Sequence, residues 1–197
     1  MSRTSLVMIG VSTGGPPTLK ELFGALPALD AAFVIVLHIT PEMDYRIAQG
    51  LDQVASMPVT LARHGEYLRP GHVYLAPGGV HLKLEGNQKV VLCKGARVNY
   101  VAPSVDVAMQ SLTRPLWGKL VGIVLTGMGK DGAEGLRHLK SLGGLTMAQD
   151  QKSSVIYGMP KAALQTGAVD LVLPPRGIAD KLVKLFPPLP VPLSKAT

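Results

Sequence analysis

Three polar residues, each standing just beyond an apolar run, are the part of this 197-residue sequence that could do chemistry. Ser12 lies in Gly10-Val11-Ser12-Thr13-Gly14, a G-x-S-x-G pattern. Placed between a strand and a helix, its glycines permit a tight turn that lifts the hydroxyl out of the sheet edge. His38 directly follows Phe33-Val34-Ile35-Val36-Leu37, and Asp131 lies in Gly127-Met128-Gly129-Lys130-Asp131-Gly132, beyond the apolar run 120–125. A hydroxyl, an imidazole to take its proton and a carboxylate to orient that imidazole are the set that acyl transfer needs. Taken singly, each has a structural reading: Ser12 as the N-cap of a helix, His38 as a hydrogen-bonding loop residue. Three βα loops of one parallel sheet would bring all three to the same carboxyl edge, where open α/β sheets place their sites.

The glycines allow other chemistries. A phosphate-binding P-loop over 10–15 fails, because Pro16 and Pro17 stand where Lys and Ser/Thr are required. The α/β-hydrolase order also fits poorly, since Ser12 follows the first strand and leaves no upstream oxyanion loop. Gly127, Gly129 and Gly132 satisfy G-x-G-x-x-G, and Asp150 sits where a ribose-binding carboxylate would be expected. That is the case for a dinucleotide-binding oxidoreductase using 127–132; against it, Asp131 inside the loop would repel a pyrophosphate. A third reading keeps the fold as a non-catalytic docking module.

The elements that must position these residues alternate. Strands are predicted over 6–9, 33–37, 120–125, 145–148 and 171–173, and helices over 16–26, 45–54, 104–112, 131–142, 161–165 and 178–185. Short runs apolar on both faces belong to parallel sheets covered by helices. Between them, 72–76, 80–84 and 89–92 are separated by Pro77-Gly78-Gly79 and Gly86-Asn87, which predicts a hairpin or small meander. The fold class is therefore α/β: a doubly wound, mostly parallel sheet with helices on both faces and a small antiparallel hairpin in mid-chain. One catalytic domain is expected over 1–186, followed by a proline-rich, disordered tail over 187–197.

Composition narrows the class further. With 47% hydrophobic and 17% charged residues the chain is not intrinsically disordered, and 22 glycines with 16 prolines exclude a plain helical bundle. The single cysteine, Cys93, excludes an intramolecular disulfide framework. His64, His72, His81 and His138 show no metal-ligand spacing, so structural or surface roles are expected for them and no metal is implied. No apolar run reaches the roughly 18 residues of a membrane span, and a cytoplasmic protein is expected. The net charge of +7 favours acidic partners. Scattered basic residues without stacking aromatics argue against nucleic acid.

From residue 6 to about 185 the chain resembles the catalytic domain of the chemotaxis protein-glutamate methylesterase (CheB) family. Ile9-Gly10-Val11-Ser12-Thr13-Gly14-Gly15 is similar to its serine loop, Leu37-His38 to its histidine, and Leu125-Thr126-Gly127-Met128-Gly129-Lys130-Asp131-Gly132-Ala133 to its aspartate loop. Pro70-Gly71-His72-Val73-Tyr74-Leu75-Ala76-Pro77-Gly78-Gly79, Pro103-Ser104-Val105-Asp106, Ala148-Gln149-Asp150 and Tyr157-Gly158-Met159-Pro160-Lys161 add matches in the right order. The resemblance implies hydrolysis of glutamate methyl esters on the cytoplasmic, acidic helices of chemoreceptors, with deamidation of receptor glutamines in some members. It implies Ser12 as nucleophile, His38 as base then acid, and Asp131 as orienting carboxylate. Thr13 and the Met128 N–H belong to the oxyanion region it implies, and no cofactor is needed. Two departures stand out. The family's N-terminal receiver domain has no counterpart in the five residues before the first strand, so an excised domain or a form with a separate regulatory or receiver protein is expected. Leu37-His38-Ile39-Thr40-Pro41 replaces the usual Gln-His-Met-Pro, Gly50 stands in a usual arginine's place, and Tyr100-Val101-Ala102 lacks the basic residues common before Pro103.

Overall fold

The protein is described here by a computed structural model covering residues 4–114 and 118–190. The chain runs β1 (Leu6–Val11), α1 (Gly15–Gly24), β2 (Ala32–Leu37), α2 (Pro41–Asp52), β3 (Val59–Leu61), β4 (His72–Leu75), β5 (His81–Glu85) and β6 (Lys89–Cys93). It continues with α3 (Val105–Gln110), β7 (Leu120–Val124), α4 (Ala133–Ser141), β8 (Leu145–Gln149), α5 (Gly158–Gln165), β9 (Leu171–Leu173) and α6 (Pro175–Leu185). Seven strands form one sheet in the order β3-β4-β2-β1-β7-β8-β9, and every pairing in it is parallel. β5 and β6 pair antiparallel as a separate hairpin.

Strand alternation sorts the core into two layers. Val7, Ile9 and Val11 of β1 and Phe33, Ile35 and Leu37 of β2 face one layer, packed with α1, α2 and α6 through Leu19, Phe23, Leu51 and Leu182. Met8, Val34 and Val36 face the other, with α3, α4, α5 and the hairpin through Val105, Leu136, Met159 and Leu84. Helices thus cover both faces, as the doubly apolar strands require. The chain leaves β1 towards β2 on one side and returns on the other as β7. The switch point therefore falls between the carboxyl ends of β1 and β7, the place where such sheets open a crevice.

Three features differ from expectation. Residues 72–75 do not join the hairpin; β4 inserts between β3 and β2 in the main sheet. The cause shows in burial, since Val73, Tyr74 and Leu75 are buried in succession, whereas β5 alternates between buried and exposed from Leu82 to Glu85. The short edge strand β3 was not expected at all. The segment from 187 also begins as part of the fold. The Asp30 N–H donates to the Pro187 carbonyl (2.9 Å), the Leu189 N–H donates to that of Ala28 (2.8 Å), and Leu189 packs against the core. Residues 191–197 lie outside the described residues.

Leu189→Ala is expected to lower stability by about 1 kcal/mol, the scale of a half-buried leucine side chain. A urea midpoint that falls with an unchanged m-value would verify it.

Candidate active site

Backbone register brings Ser12 and His38 together. The last registered pair of β1 and β2 is Val11 with Leu37, and the His38 N–H donates to the Val11 carbonyl at 3.2 Å. Ser12 and His38 are therefore the next residues out on adjacent strands, with backbones about one strand spacing, roughly 5 Å, apart. Ser12 is held by its N–H, which donates to the Thr126 carbonyl at 2.9 Å, and its own carbonyl accepts from Gly15 at 2.8 Å. The turn into α1 passes through Gly14 at φ 80°, a left-handed conformation that glycine adopts without strain. The segment after His38 is pinned by close packing: a Cβ on Gly78 would come within 2.5 Å of the Thr40 backbone. The Gly78 N–H donates to Asp44 at 3.2 Å.

His38 and Asp131 meet directly, with Nε2 2.7 Å from Oδ2. An ionised carboxylate only accepts, so Nε2 carries the proton, and Nδ1 of the neutral ring is left as the lone-pair nitrogen. Asp131 itself is 2% exposed. Its Oδ2 also accepts the Val105 N–H (2.7 Å), and its Oδ1 accepts from Ser104 Oγ (2.7 Å), Asn99 Nδ2 (2.9 Å) and the Asp106 N–H (3.2 Å). Burial pushes this carboxyl up, but the hydrogen bonds from His38, Val105, Asn99 and Ser104 outweigh it and hold it at about 2. Ser12 and His38 share no side-chain hydrogen bond among the described residues; such contacts are commonly long in unliganded enzymes and tighten on substrate.

Asp131, which precedes α4, thus receives the amino end of α3. Asp106, in the first turn of α3, does the reverse. Its Oδ1 accepts the N–H groups of Gly132 (2.9 Å) and Gly135 (2.7 Å), and its Oδ2 accepts from Asn99 Nδ2 (2.9 Å). Each carboxylate satisfies free N–H groups of the other helix, where the dipole also favours negative charge. Burial pushes the Asp106 carboxyl up; the Gly135 N–H pulls against that, the Asp131 charge adds to it, and Asn99 and Gly132 pull back without cancelling it. Ser104 is the α3 N-cap, accepting from Val107, and its own N–H donates to His81 Nδ1 at 3.2 Å. Because Nδ1 accepts, His81 carries its proton on Nε2 and donates to the Ala96 carbonyl at 3.0 Å.

The loop carrying Met128 is braced from the other side. Gly127 donates to the Ile156 carbonyl (2.9 Å) and accepts from Met159 (2.8 Å), and a Cβ there would meet Met159 Sδ at 2.2 Å and Ser12 Cβ at 2.8 Å. Thr126 Oγ1 donates to the Thr13 carbonyl at 2.9 Å, and its N–H donates to Gln149 Oε1 at 2.8 Å. Gln149 in turn donates to the Ser153 carbonyl at 3.0 Å. Among the described residues no acceptor takes the N–H of Thr13 or of Met128, and both side chains are exposed.

A family model described as CheB methylesterase matches residues 7–182. The chain belongs to the CheB methylesterase family. Its similarity to the crystal structure of the Thermotoga maritima CheB methylesterase catalytic domain extends over 92% of this chain and 98% of that one, at 36% identity and a TM-score of 0.86. The protein-glutamate methylesterase/protein-glutamine glutaminase of Symbiobacterium thermophilum is 42% identical over 181 residues, 91% of this chain and 50% of the relative. The protein of the same name from Archaeoglobus fulgidus is 40% identical over 184 residues, 91% of this chain and 53% of the relative. The chain spans about half the length of these curated relatives.

Within this CheB-family fold the glycine-rich loop is closed to a dinucleotide. A pyrophosphate would need the N–H groups at the start of α4, and the Asp106 carboxylate already holds two of them. Asp150 is likewise engaged, accepting from the N–H of Ser153 at 3.0 Å and from its hydroxyl. The start of α1 offers few oxyanion donors. Pro16 and Pro17 have no N–H, and that of Gly15 is taken by Ser12. His64 and His138 make backbone contacts, as expected of structural histidines: the Leu92 N–H donates to His64 Nδ1, and His138 Nε2 donates to the Leu112 carbonyl. Asn99, Ser104 and Asp106 were missed as site residues. Ser104 could have been found as a helix N-cap; no sequence signal marks Asn99.

Asp131 titrates at about 2 in the fold against an ordinary 3.8. A lowered carboxyl contributes stability that is complete above the unfolded value and is lost as the pH falls from about 4 towards 2, on the order of 2 kcal/mol. Asp106, shifted upwards, works in the opposite sense. Urea titrations at several pH values should show Asp131→Asn less stable at pH 7 and lacking the acid-side loss carried by Asp131.

Proposed function

We propose that this chain is a serine esterase of the protein-glutamate methylesterase type, acting on glutamate methyl esters of chemoreceptor cytoplasmic helices. The observation that carries the reading is the His38–Asp131 pair at 2.7 Å, standing at the switch point beside the Ser12 turn in a CheB-family chain. Ser12 Oγ attacks the ester carbonyl while His38 Nδ1 takes its proton. Asp131, anionic across the working range, holds the ring through Nε2 and stabilises the imidazolium. The N–H groups of Thr13 and Met128 stabilise the oxyanion; their freedom from internal acceptors and the bracing of Gly127 support that role. His38 then returns the proton to the departing methoxide, and methanol leaves a Ser12 acyl-enzyme. Water, deprotonated by the same imidazole, hydrolyses it to the glutamate carboxylate and free Ser12. A receptor glutamine follows the same route with ammonia as leaving group.

The net charge of +7 supports an acidic macromolecular substrate. So does the apolar rim of the site, where Met128, Val155 and Ile156 are exposed beside the serine turn.

Ser12→Ala is expected to abolish methanol release from membranes carrying methylated receptors while its unfolding midpoint stays within error of the parent. Methanol release at the parental rate from that variant would refute the mechanism. Raising salt from 50 to 500 mM should lower kcat/KM on receptor while the rate on a small neutral ester changes little, because screening acts on long-range steering.

A further inference from the structure

Asn99 and Tyr100 are the central residues of a two-residue turn closed by reciprocal hydrogen bonds between Val98 and Val101, each 3.1 Å. Both have left-handed backbones, φ 53° and 67°, as a type I′ hairpin turn demands. Asparagine tolerates that conformation; for a tyrosine it is strained, and Tyr100 is 92% exposed and so gains little by burial. The turn's value lies on its inner side. Asn99 Nδ2 is 2.9 Å from Asp106 Oδ2 and 2.9 Å from Asp131 Oδ1. An amide nitrogen carries two hydrogens, so one serves each carboxylate.

We propose that Asn99 is a positioning residue for acyl transfer: its amide is the neutral spacer that lets Asp106 and Asp131 stand side by side in the interior while Asp131 stays aimed at His38. This rests on the esterase reading above. Among the described residues, the only ion pair of either carboxylate is that of Asp131 with His38. A lysine or arginine in the place of Asn99 would also satisfy both acids, but its charge would compete with the imidazolium for Asp131. A neutral donor satisfies them and leaves their field directed at His38. The titratable groups facing this cluster are His38 from the end of β2 and Asp106 from α3, with His81 one bond behind Ser104. Lys130, next to Asp131 in the chain, is exposed.

Asn99→Gly tests the idea without breaking the turn, because glycine accepts the left-handed backbone and removes only the amide. Two carboxylates then face each other unspaced, which favours the protonated imidazole and the protonated acid pair. On methylated receptor, kcat should fall about tenfold or more, the scale of outer hydrogen-bond partners of a catalytic group, with KM within about twofold. The acid limb of the kcat profile should move to higher pH. Asn99→Asp, which adds a third carboxylate in nearly the same volume, should move the limb further. Tyr100→Gly relaxes the same turn and should leave the limb in place.

A parental limb and kcat in Asn99→Gly would overturn the proposal. So would equal slowing of Asn99→Gly and Asn99→Asp with no shift, or a shift in Tyr100→Gly as large as in Asn99→Gly; these outcomes mark a scaffold role. The pH dependence of Ser12 labelling by an alkyl fluorophosphonate, run in parallel, separates the two levels. Loss of receptor activity in the parent with Ser12 still labelled removes the proposed substrate but leaves Asn99 to be judged on the labelling limb. A parent that is neither active nor labelled removes both.

Discussion

A carboxylate buried to 2% exposure, with an imidazole as its only ionic partner among the described residues, is the constraint around which this fold is arranged. Taking a carboxylate out of water costs several kcal/mol unless hydrogen bonds replace its hydration. Asp131 recovers that cost from the amino end of α3, the Ser104 hydroxyl and the Asn99 amide. The demand propagates outward. For α3 to reach Asp131 it must lie close over β1, and it can because Gly10 has no side chain; a Cβ there would meet Val105 at 2.4 Å. For α4 to start beside α3, Gly132 takes a left-handed turn and Gly135 lets Met109 approach. The glycines of this region are clearance for a buried charge, and the crossed capping of the two helices is its solvation.

The two halves of the site are held by different means. On the serine side the bonds run mostly through backbone: Ser12 to Thr126, Gly127 to Ile156 and Met159, with Thr126 and Gln149 tying the strand ends together. That side presents amide N–H groups, whose positions backbone bonding determines best. On the acid side the bonds converge on side-chain oxygens, where what matters is charge and its direction. The Ser12 hydroxyl and the N–H groups of Thr13 and Met128 thus share one rigid frame, while the His38–Asp131 pair sits in a tuned electrostatic pocket. Preorganised dipoles of this kind act without reorganising during reaction.

The sequence disclosed most of this where chemistry and chain adjacency coincide. The Ser12 and Asp131 loops are legible because glycine patterns flank them between an apolar run and a helix. His38 is legible because it ends the most apolar strand of the chain. The doubly wound sheet follows from strands apolar on both faces. Strand β4 was misplaced because Pro77-Gly78-Gly79 reads equally well as a hairpin turn or as the end of a buried parallel strand, and only burial on both faces distinguishes them. β3 was missed because three residues on a sheet edge carry too little pattern. Asn99 and Asp106 lie 32 and 25 positions before the residue they serve; Asp106 stands in a family-like motif that does not disclose its partner, and nothing local marks Asn99. Their meaning exists only in the space between two helix starts.

The hydrogen bond between His38 and Asp131 spans 93 positions of the chain, and the ligands of Asp131 come from a third region lying between them. No local segment, hairpin or helix pair holds His38 and Asp131 together. The pair is thus a property of the assembled sheet: β1, β2 and β7 must be paired and α3 docked before the imidazole has an anion to orient it. These strands also carry both core layers, so freeing any of them dissolves the charge arrangement and the core together. The imidazole and its anion are therefore partners only where the assembled sheet holds both, and the pair reports on the tertiary structure as a whole.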